Sequence, residues 1–298
     1  MSDDGQCVLM RIGLPKGSLQ ASTVDLFHRV GYRLQVAERS YLPAIDDPQL
    51  EVVMFRAQEI SRYVEDGVVD VGITGHDWIV ENGSSVHEVC ELTYSKAKTT
   101  GSTVRWVLAV PEESSIRRAE DLTGGIVATE LLNTTKRYFA KRGVAVKKVE
   151  FSWGATEVKA RLVDGIVDVT ETGASLRANN LRVIDTVLQS TTRLIANHAS
   201  WNDPIKREMI ESLALLLQGA IEASVTVGLK MNVPRSQLDQ VISLLPAEKS
   251  PTVSALADQS WVAVEVIVEQ HVERKLVPKL SRAGATGIIS YPLNKVIH

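Results

Sequence analysis

The chain has 298 residues, of which 44% are hydrophobic and 23% are charged, a composition typical of globular proteins and not of disordered ones. Its net charge of −3 argues against a strongly basic nucleic-acid-binding protein, and two cysteines cannot form a disulfide framework or a zinc cluster. The N-terminal residues lack the basic segment of a secretory signal, and no apolar run is long enough to cross a membrane. We therefore expect a soluble, cytoplasmic protein of enzyme size that binds neither nucleic acid nor a membrane.

The first hundred residues alternate β-branched runs with amphipathic patterns, as in an α/β sheet. These patterns predict three strands, at 8–14, 51–55 and 68–73, and two helices, at 18–30 and 57–66. The last strand is apolar except for Asp70, as expected for a strand buried on both faces. Because an unpaired charge is costly to bury, Asp70 is either a ligand at the strand end or a structural partner of a backbone turn.

A segment rich in Lys, Thr, Ser and Gly, residues 95–103, predicts a loop or hinge before a second set of elements. In that set the pattern predicts a helix capped by Asn133, Thr134 and Thr135 and strands at 106–110, 126–129, 144–150, 166–169 and 183–188. Two α/β lobes joined by a crossing segment fit this pattern better than one long sheet. We assign residues 1–103, completed by about 188–224, to lobe 1, and residues 104–187 to lobe 2.

The pattern changes after a helix predicted at 208–223. From residue 225 onward the order of strands and helices is the one found in ferredoxin-like domains. Small domains of this shape often bind amino acids as regulatory modules. We therefore expect a separate domain over residues 225–298.

The most informative segment is 166–176, where a buried strand leads into a loop of Thr, Gly and Ser and then into a helical pattern. Small residues let backbone N–H groups approach an anion, hydroxyls add donors, and a helix N-terminus adds positive potential. The segment therefore predicts a phosphate-binding loop, although an ordinary helix N-cap uses the same residue types.

The residue order that starts at Asp168, Asp-x-x-x-Thr-Gly-x-Ser-Leu, resembles the phosphoribosyl-pyrophosphate loop of phosphoribosyltransferases. From about residue 11 to the end, the chain resembles the ATP phosphoribosyltransferase family in its long form, which carries a C-terminal regulatory domain. The other segments that carry this resemblance follow the family's order: LPKGSL at 14–19, DVGITGHDW at 70–78, TELLNTTKRYF at 129–139, SWGATE at 152–157, LPAEKSPTV at 245–253 and YPLNK at 291–295.

The resemblance implies a two-lobed catalytic region similar to type II periplasmic binding proteins, followed by an ACT-like, ferredoxin-like domain. It implies transfer of the 5-phosphoribosyl group from phosphoribosyl pyrophosphate to N1 of ATP, the first step of histidine biosynthesis. Mg²⁺ is the implied cofactor, and it should arrive mainly with the pyrophosphate because the sequence has no visible cluster of metal ligands. Histidine is the implied feedback inhibitor, and a homo-oligomer between a dimer and a hexamer is the implied assembly.

Carried over residue by residue, the resemblance implies three sites. The phosphoribosyl pyrophosphate site comprises Asp168, Thr170, Glu171, Thr172, Gly173, Ala174, Ser175 and Leu176. The ATP site comprises Lys16, Gly17, Arg56, Asp70 and Gly75, and the histidine site comprises Asn232, Ser250, Thr252, Ser254 and Gly287.

Among these residues, the basic groups Lys16 and Arg56 are expected to neutralise the leaving pyrophosphate, with Arg105 as a further candidate for binding an anion. Asp168 or Glu157 is expected to stabilise the positive charge that develops on the sugar. No strong general base is needed, because N1 of adenine is already a nucleophile.

Three features depart from the family pattern, and the first is the motif at 56–59, which reads Arg-Ala-Gln-Glu where the family usually has Arg-Pro-x-Asp. Glu171 stands where the family commonly has Ser, and a carboxylate in a phosphate loop repels phosphate unless it points outward or Mg²⁺ intervenes. Ser18 stands where the family commonly has Arg. A non-catalytic, two-lobed small-molecule-binding protein is the alternative, because the fold alone does not decide the function.

Overall fold

The computed structural model describes residues 8–37, 40–94, 104–154, 156–246 and 251–297. The chain divides into two compact units, one of Met1–His28 with Tyr32–Ala214 and one of Arg29–Gly31 with Leu215–His298. The first unit holds two five-stranded sheets, which we call lobe 1 and lobe 2. The predicted hinge at 95–103 lies outside the described residues, and the predicted domain boundaries stay predictions.

Lobe 1 is built on a mixed sheet in which the strands β1, β2 and β3 are parallel. Its strands are β1 (Met10–Lys16), β2 (Leu50–Arg56), β3 (Val71–Gly75), β4 (His87–Glu91) and β10 (Thr192–Ala196). Its helices are α1 (Gln20–Val30), α2 (Ala57–Glu65), α3 (His76–Asn82) and α7 (His198–Asn202). The strand order is β2-β1-β3-β10-β4, and β10 runs antiparallel to both of its neighbours.

Lobe 2 is built on a second mixed sheet. Its strands are β5 (Val104–Pro111), β6 (Ile126–Thr129), β7 (Lys148–Phe151), β8 (Gly165–Thr170) and β9 (Leu181–Ser190), in the order β7-β6-β8-β5-β9. Its helices are α4 (Leu132–Lys141), α5 (Thr156–Lys159) and α6 (Ala174–Ala178). Strands β6, β7 and β8 are parallel, whereas β5 is antiparallel to β8 and β9.

The second unit is a four-stranded antiparallel sheet with helices on one face. Its elements are β11 (Thr226–Pro234), α9 (Leu238–Leu244), β12 (Thr252–Ala255), β13 (Trp261–Glu269), α10 (Gln270–Arg282) and β14 (Thr286–Pro292). The order β12-β13-β11-β14, with two intervening helices, is the ferredoxin-like arrangement. The long helix α8 (Pro204–Ala223) precedes it in the chain. The predicted fold class, two α/β lobes followed by a ferredoxin-like domain, is confirmed.

Three predictions about local structure are wrong. The polar residues Asn133, Thr134 and Thr135 do not cap α4, which begins at Leu132 and has no side-chain cap of its own. The strands predicted at 68–73 and 144–150 begin later, at Val71 and Lys148, and strands β4, β10 and β12 were not predicted. No helix within the described ranges has both the length and the apolar character needed to span a bilayer.

Asp70 lies immediately before β3, at the opposite end of that strand from Gly75. Its carboxylate accepts hydrogen bonds from the backbone N–H of Arg11 at 2.7 Å, from the Ser200 hydroxyl at 2.6 Å and from the Lys206 ammonium at 2.6 Å. Burial opposes ionisation of this carboxyl, but the three hydrogen bonds outweigh that effect and lower its pKa. The structural role of Asp70 is therefore favoured, and this residue does not join the other predicted ATP-binding residues.

Replacing Asp70 with Asn should lower the free energy of unfolding at pH 7 by about 2–4 kcal/mol, because the half-buried Lys206 ammonium loses its partner. Since the pKa of Asp70 is lowered by folding, its contribution is present above the ordinary pKa and is lost as the pH falls through the folded value. Urea denaturation of both proteins at pH 7 and in acid measures this difference.

Glu211→Gln is the matched control, because Glu211 forms an exposed ion pair with Arg207 on α8. Loss of this ion pair should lower the free energy of unfolding by about 0.5 kcal/mol or less. Equal losses of stability for the two variants would contradict the role given to Asp70.

Candidate active site

A cavity of about 900 Å³ lies in the first unit and is lined by residues of both lobes. Its lobe 1 wall includes Lys16, Arg56 and Gly75, the last residues of β1, β2 and β3. Lys16 and Arg56 are direct register partners across the sheet. Because the carboxyl ends of parallel strands meet at one edge, this wall is where open α/β sheets commonly bind ligands.

Four of the five residues predicted to bind ATP line this wall, namely Lys16, Gly17, Arg56 and Gly75. The Lys16 ammonium lies 3.7 Å from the centre of the Tyr41 ring. Gly17 has a φ of +106°, which a residue with a side chain adopts only with strain. A Cβ atom at position 75 would lie 2.0 Å from the Asp77 carboxylate, so Gly75 is also required by packing.

The lobe 2 side of the cavity includes Trp106, Val169 and Glu171. Glu171 is half-buried and belongs to the predicted phosphate loop, so one carboxylate of that loop does face the cavity. The indole of Trp106 packs edge-on against Trp78 of lobe 1, with ring centres 6.1 Å apart. Aromatic and carboxylate groups therefore line the cavity opposite Lys16 and Arg56, and lobe 1 adds the carboxylates of Asp77 and Glu91.

The predicted phosphate loop closes on itself through its first hydroxyl. Buried Thr170 accepts a 2.8 Å hydrogen bond from the backbone N–H of Gly173, whose φ is +73°. Leu176 is buried and anchors the loop, whereas Thr172, Ala174 and Ser175 are exposed. Because α6 has five residues, the helix dipole contributes little here, and backbone N–H groups and hydroxyls are the main donors.

Arg105 lies beside the start of this loop. It is the register partner of Thr170 in the pairing of β5 with β8 and is half-buried. Its backbone position is therefore consistent with the predicted role in binding an anion.

Asp168 and Glu157 form a pair of carboxyl groups with opposite shifts in pKa. Asp168 is 8% exposed, and burial raises its pKa to about 7, with a further contribution from the negative charges of Glu157 and Glu130. A hydrogen bond from the Ser175 hydroxyl lowers the pKa of Glu157. Near neutral pH, Glu157 is therefore ionised, whereas Asp168 is present in both its protonated and its ionised form. Two carboxyl groups with such different pKa values are common in active sites.

Glu130 is a functional candidate that the sequence analysis missed. Glu130 lines the cavity and lies immediately after β6. Burial and the negative charge of Asp77 raise the pKa of Glu130, and they outweigh the lowering effect of a hydrogen bond from the backbone N–H of Gly154. The sequence feature that could have identified Glu130 is its position directly after a buried strand, β6, which is parallel to β8. A carboxylate at that position lies at the same sheet edge as the predicted phosphate loop.

The predicted histidine-binding residues lie in the second unit. Asn232 and Ser254 are both register partners of Ala263, one on each side of β13, and Thr252 pairs with Glu265 on the same strand. Gly287 follows Thr286, the partner of Asn232 in β14. The alternation along β11 and β13 directs Asn232, Thr252 and Ser254 away from the helices, and all three are exposed. Ser250 lies outside the described residues.

Comparison with known proteins gives a consistent family. Residues 56–219 match the family model described as ATP phosphoribosyltransferase, and residues 223–295 match the one described as HisG, C-terminal domain. An ATP phosphoribosyltransferase of Pelodictyon phaeoclathratiforme is 57% identical over 97% of this chain and 98% of its own length. The chain belongs to the ATP phosphoribosyltransferase family.

Two further members of the ATP phosphoribosyltransferase family extend this comparison. The enzyme of Solibacter usitatus is 55% identical over 97% of this chain and 100% of its own length. Among solved structures, the ATP phosphoribosyl transferase (HisG:HisZ) complex of Thermotoga maritima matches with a TM-score of 0.61 and 28% identity. That match covers 72% of this chain and 98% of the other.

Replacing Asp168 with Asn in this ATP phosphoribosyltransferase family member should stabilise the fold at pH 8 by about 1–3 kcal/mol. Folding raises the pKa of Asp168 from 3.8 to about 7, so the native state favours the neutral form and its stability falls as the pH rises through this range. The amide of the Asp168→Asn variant stays neutral at every pH, so the variant does not have to bury an ionised carboxylate. Denaturation curves at pH 8 and in acid should show the gain only at the higher pH.

Asp185→Asn is the matched control in the same lobe and should have the opposite sign. Despite the cost of burial, hydrogen bonds from Tyr138 and Arg142 lower the pKa of Asp185, so its charge stabilises the native state. An Asp168→Asn protein that is less stable than the wild type at pH 8 would contradict the ionisation assigned to Asp168.

Proposed function

We propose that this protein transfers the 5-phosphoribosyl group of phosphoribosyl pyrophosphate to N1 of ATP and releases pyrophosphate, as the first step of histidine biosynthesis. The observation that carries this conclusion is the identity of 57% with an ATP phosphoribosyltransferase over nearly the whole of both chains. A cavity with basic groups on one wall and carboxylates on the other gives physical support, because both a phosphate-rich substrate and a developing cation need stabilising.

Each substrate is assigned to one lobe. ATP binds on the wall of lobe 1, where Lys16 and Arg56 provide positive charge and Gly17 and Gly75 give the backbone close access. The 5-phosphate of phosphoribosyl pyrophosphate binds to the loop from Thr170 to Leu176 in lobe 2. The exposure of Thr172, Ala174 and Ser175 supports this assignment, because the Thr172 hydroxyl and the backbone N–H groups of this segment can reach an anion, whereas the Ser175 hydroxyl donates to Glu157.

In the reaction, a bond forms between adenine N1 and C1 of the ribose while the bond from C1 to the pyrophosphate oxygen breaks. The electron pair of the broken bond leaves with the pyrophosphate, and no proton has to be removed from N1. Positive charge develops on the sugar, and the ionised Glu157 together with Asp168 is suited to stabilise it. Lys16 and Arg56 are suited to stabilise the departing pyrophosphate.

Mg²⁺ is proposed to accompany the pyrophosphate. Among the described residues, no group of three or more His, Cys, Asp and Glu side chains is arranged to hold a metal ion. Glu130 and Glu171 supply the hard oxygen ligands that Mg²⁺ prefers, and both line the cavity. Bound there, the ion would neutralise charge on the leaving group.

The direct test is an absorbance assay for phosphoribosyl-ATP with the purified chain, ATP, phosphoribosyl pyrophosphate and Mg²⁺. We expect product only when all components are present. Thr172→Ala combined with Gly173→Val should raise the KM for phosphoribosyl pyrophosphate about tenfold or more, because a side chain at 173 blocks backbone approach. The KM for ATP should change little.

Gly124→Val is the control for this pair of substitutions, because Gly124 also has a positive φ, lies in lobe 2 and does not line the cavity. It should leave both KM values unchanged. A folded wild-type protein that forms no product would favour the non-catalytic binding alternative.

Histidine is proposed to inhibit the enzyme by binding at the exposed sheet face of the second unit, near Asn232, Thr252 and Ser254. The alignment of Asn232 and Ser254 on either side of Ala263 supports this site, because polar groups in one cross-strand row can pair with both charged ends of an amino acid. We also propose a homo-oligomer and a cytoplasmic location, which the family resemblance supports.

Asn232→Ala with Ser254→Ala should raise the histidine concentration for half-inhibition about tenfold or more, with the uninhibited kcat unchanged, because each lost hydrogen bond to a charged group costs about 1.5–3 kcal/mol. Ser243→Ala is the control, since Ser243 lies on α9 on the other side of the sheet. Inhibition that is unchanged in the double variant would reject this site, and a wild-type enzyme without histidine inhibition would reject the regulation itself.

A further inference from the structure

Helix α3 of lobe 1 presents two carboxylates to lobe 2. Asp77 and Glu81 lie one helical turn apart and are both buried, with Glu81 7% exposed. Asp77 accepts hydrogen bonds from the Trp106 indole N–H at 2.7 Å and from the Ser190 hydroxyl at 2.9 Å. Glu81 accepts two hydrogen bonds from the start of α4, one from the backbone N–H of Asn133 and one from that of Thr134, each at 2.8 Å.

Glu81 thus caps a helix that belongs to the other lobe. The first N–H groups of a helix have no partner within the helix, and a carboxylate satisfies them and interacts favourably with the helix dipole. Helix α4 has no side-chain cap from its own N-cap residue Leu131. Two further interlobe bonds lie beside this cap, from the Asn133 side-chain amide to the backbone carbonyl of Glu81 at 3.1 Å and from the Arg137 guanidinium to that of Val80 at 2.6 Å.

The capped segment carries a residue of the cavity. Glu130 lies two residues before the start of α4, between Thr129 and the fully buried Leu131. The backbone N–H of Leu131 donates to the Thr129 hydroxyl at 3.0 Å, so the turn that holds Glu130 is fixed on the lobe 2 side. Glu81 fixes the same short segment from the lobe 1 side.

We propose that Glu81 is a positioning residue for phosphoribosyl transfer: by holding the start of α4, it sets the distance between the cavity wall of lobe 1 and the Glu130 side of lobe 2. This inference rests on the proposed function, in which each lobe binds one substrate. Loss of the cap leaves each binding wall intact but misaligns the two walls. Both substrates then bind with normal affinity, but their reacting atoms are held at an unfavourable distance.

The kinetic consequence is a separation of kcat from KM. Glu81→Ala should lower kcat about tenfold or more, since a misplacement of about 1 Å can cost up to 10²-fold in rate, while both KM values change less than about twofold. Glu81→Gln keeps an oxygen acceptor of the same reach and should recover a large part of kcat. Arg137→Met, which removes a neighbouring interlobe bond, should shift kcat in the same direction.

Asp164→Asn is the matched control, because the Asp164 carboxylate accepts a backbone N–H, that of Ile126 at 2.7 Å, entirely within lobe 2. It should leave kcat unchanged. A structural readout avoids dependence on activity: spin labels at the exposed positions Arg62 on α2 and Lys141 on α4, in a chain with both cysteines replaced by Ser, report the interlobe distance. Glu81→Ala should broaden that distance distribution relative to the wild type.

The outcomes separate this inference from the function on which it rests. A wild-type protein without transferase activity rejects the proposed function, whereas the spin-label distances still report on the cap. If Glu81→Ala lowers only the melting temperature, with kcat and the distance distribution unchanged, Glu81 is structural and the inference is wrong. If Glu81→Ala fails to fold, an Arg137→Met protein with wild-type kcat and distances overturns the inference.

Discussion

The contact between α3 and the second lobe is the constraint on which the cavity depends. Two buried carboxylates of α3, Asp77 and Glu81, accept hydrogen bonds from three separate elements of lobe 2, namely β5, β9 and α4. Buried carboxylates require such donors, because an unpaired charge in the interior is strongly destabilising. The cavity residues Trp106 and Ser190 are therefore bonded directly to lobe 1, and Glu130 lies two residues before a helix that lobe 1 caps.

The electrostatics of the cavity follow from where the sheets end. Lobe 1 brings Lys16 and Arg56 to one edge because β1 and β2 are parallel and in register. Lobe 2 brings Glu130 and Glu171 to the cavity, and burial together with neighbouring negative charges raises the pKa of Glu130 and of the buried Asp168. A reaction that separates a negative leaving group from a positive sugar is suited to a site divided in this way.

The sequence predicts those features that depend on local pattern. The parallel strands of lobe 1, and the loop between β8 and α6, lie where apolar periodicity and the order of Thr, Gly and Ser place them. The same periodicity does not separate β10 from β9, because only Thr191 lies between them and neither Gly nor Pro marks the break. Edge strand β12 is short and exposed, so it carries no apolar signal.

The features that the sequence does not predict depend on partners far apart in the chain. Asp70 is held by Ser200 and Lys206, and α4 is capped by Glu81 instead of by its own Asn133. The sequence pattern of a helix cap spans about four consecutive residues at the helix start. A capping residue from another lobe therefore cannot be predicted from that segment. Glu130 was missed for a related reason, since its environment is set by Asp77 and Asp168 and not by its neighbours.

The proposed function requires that each lobe bind one substrate and that the reaction occur where the two lobes meet. Hydrogen exchange of the full chain tests this requirement under two conditions. In one the chain is mixed with ATP only, and in the other it is mixed with phosphoribosyl pyrophosphate and Mg²⁺ but without ATP. We expect ATP to protect amides after β1 and β2, at 17–19 and 57–58, and phosphoribosyl pyrophosphate to protect amides at 171–176. Protection of the 171–176 loop by ATP alone, with no effect at the ends of β1 and β2, would contradict this requirement.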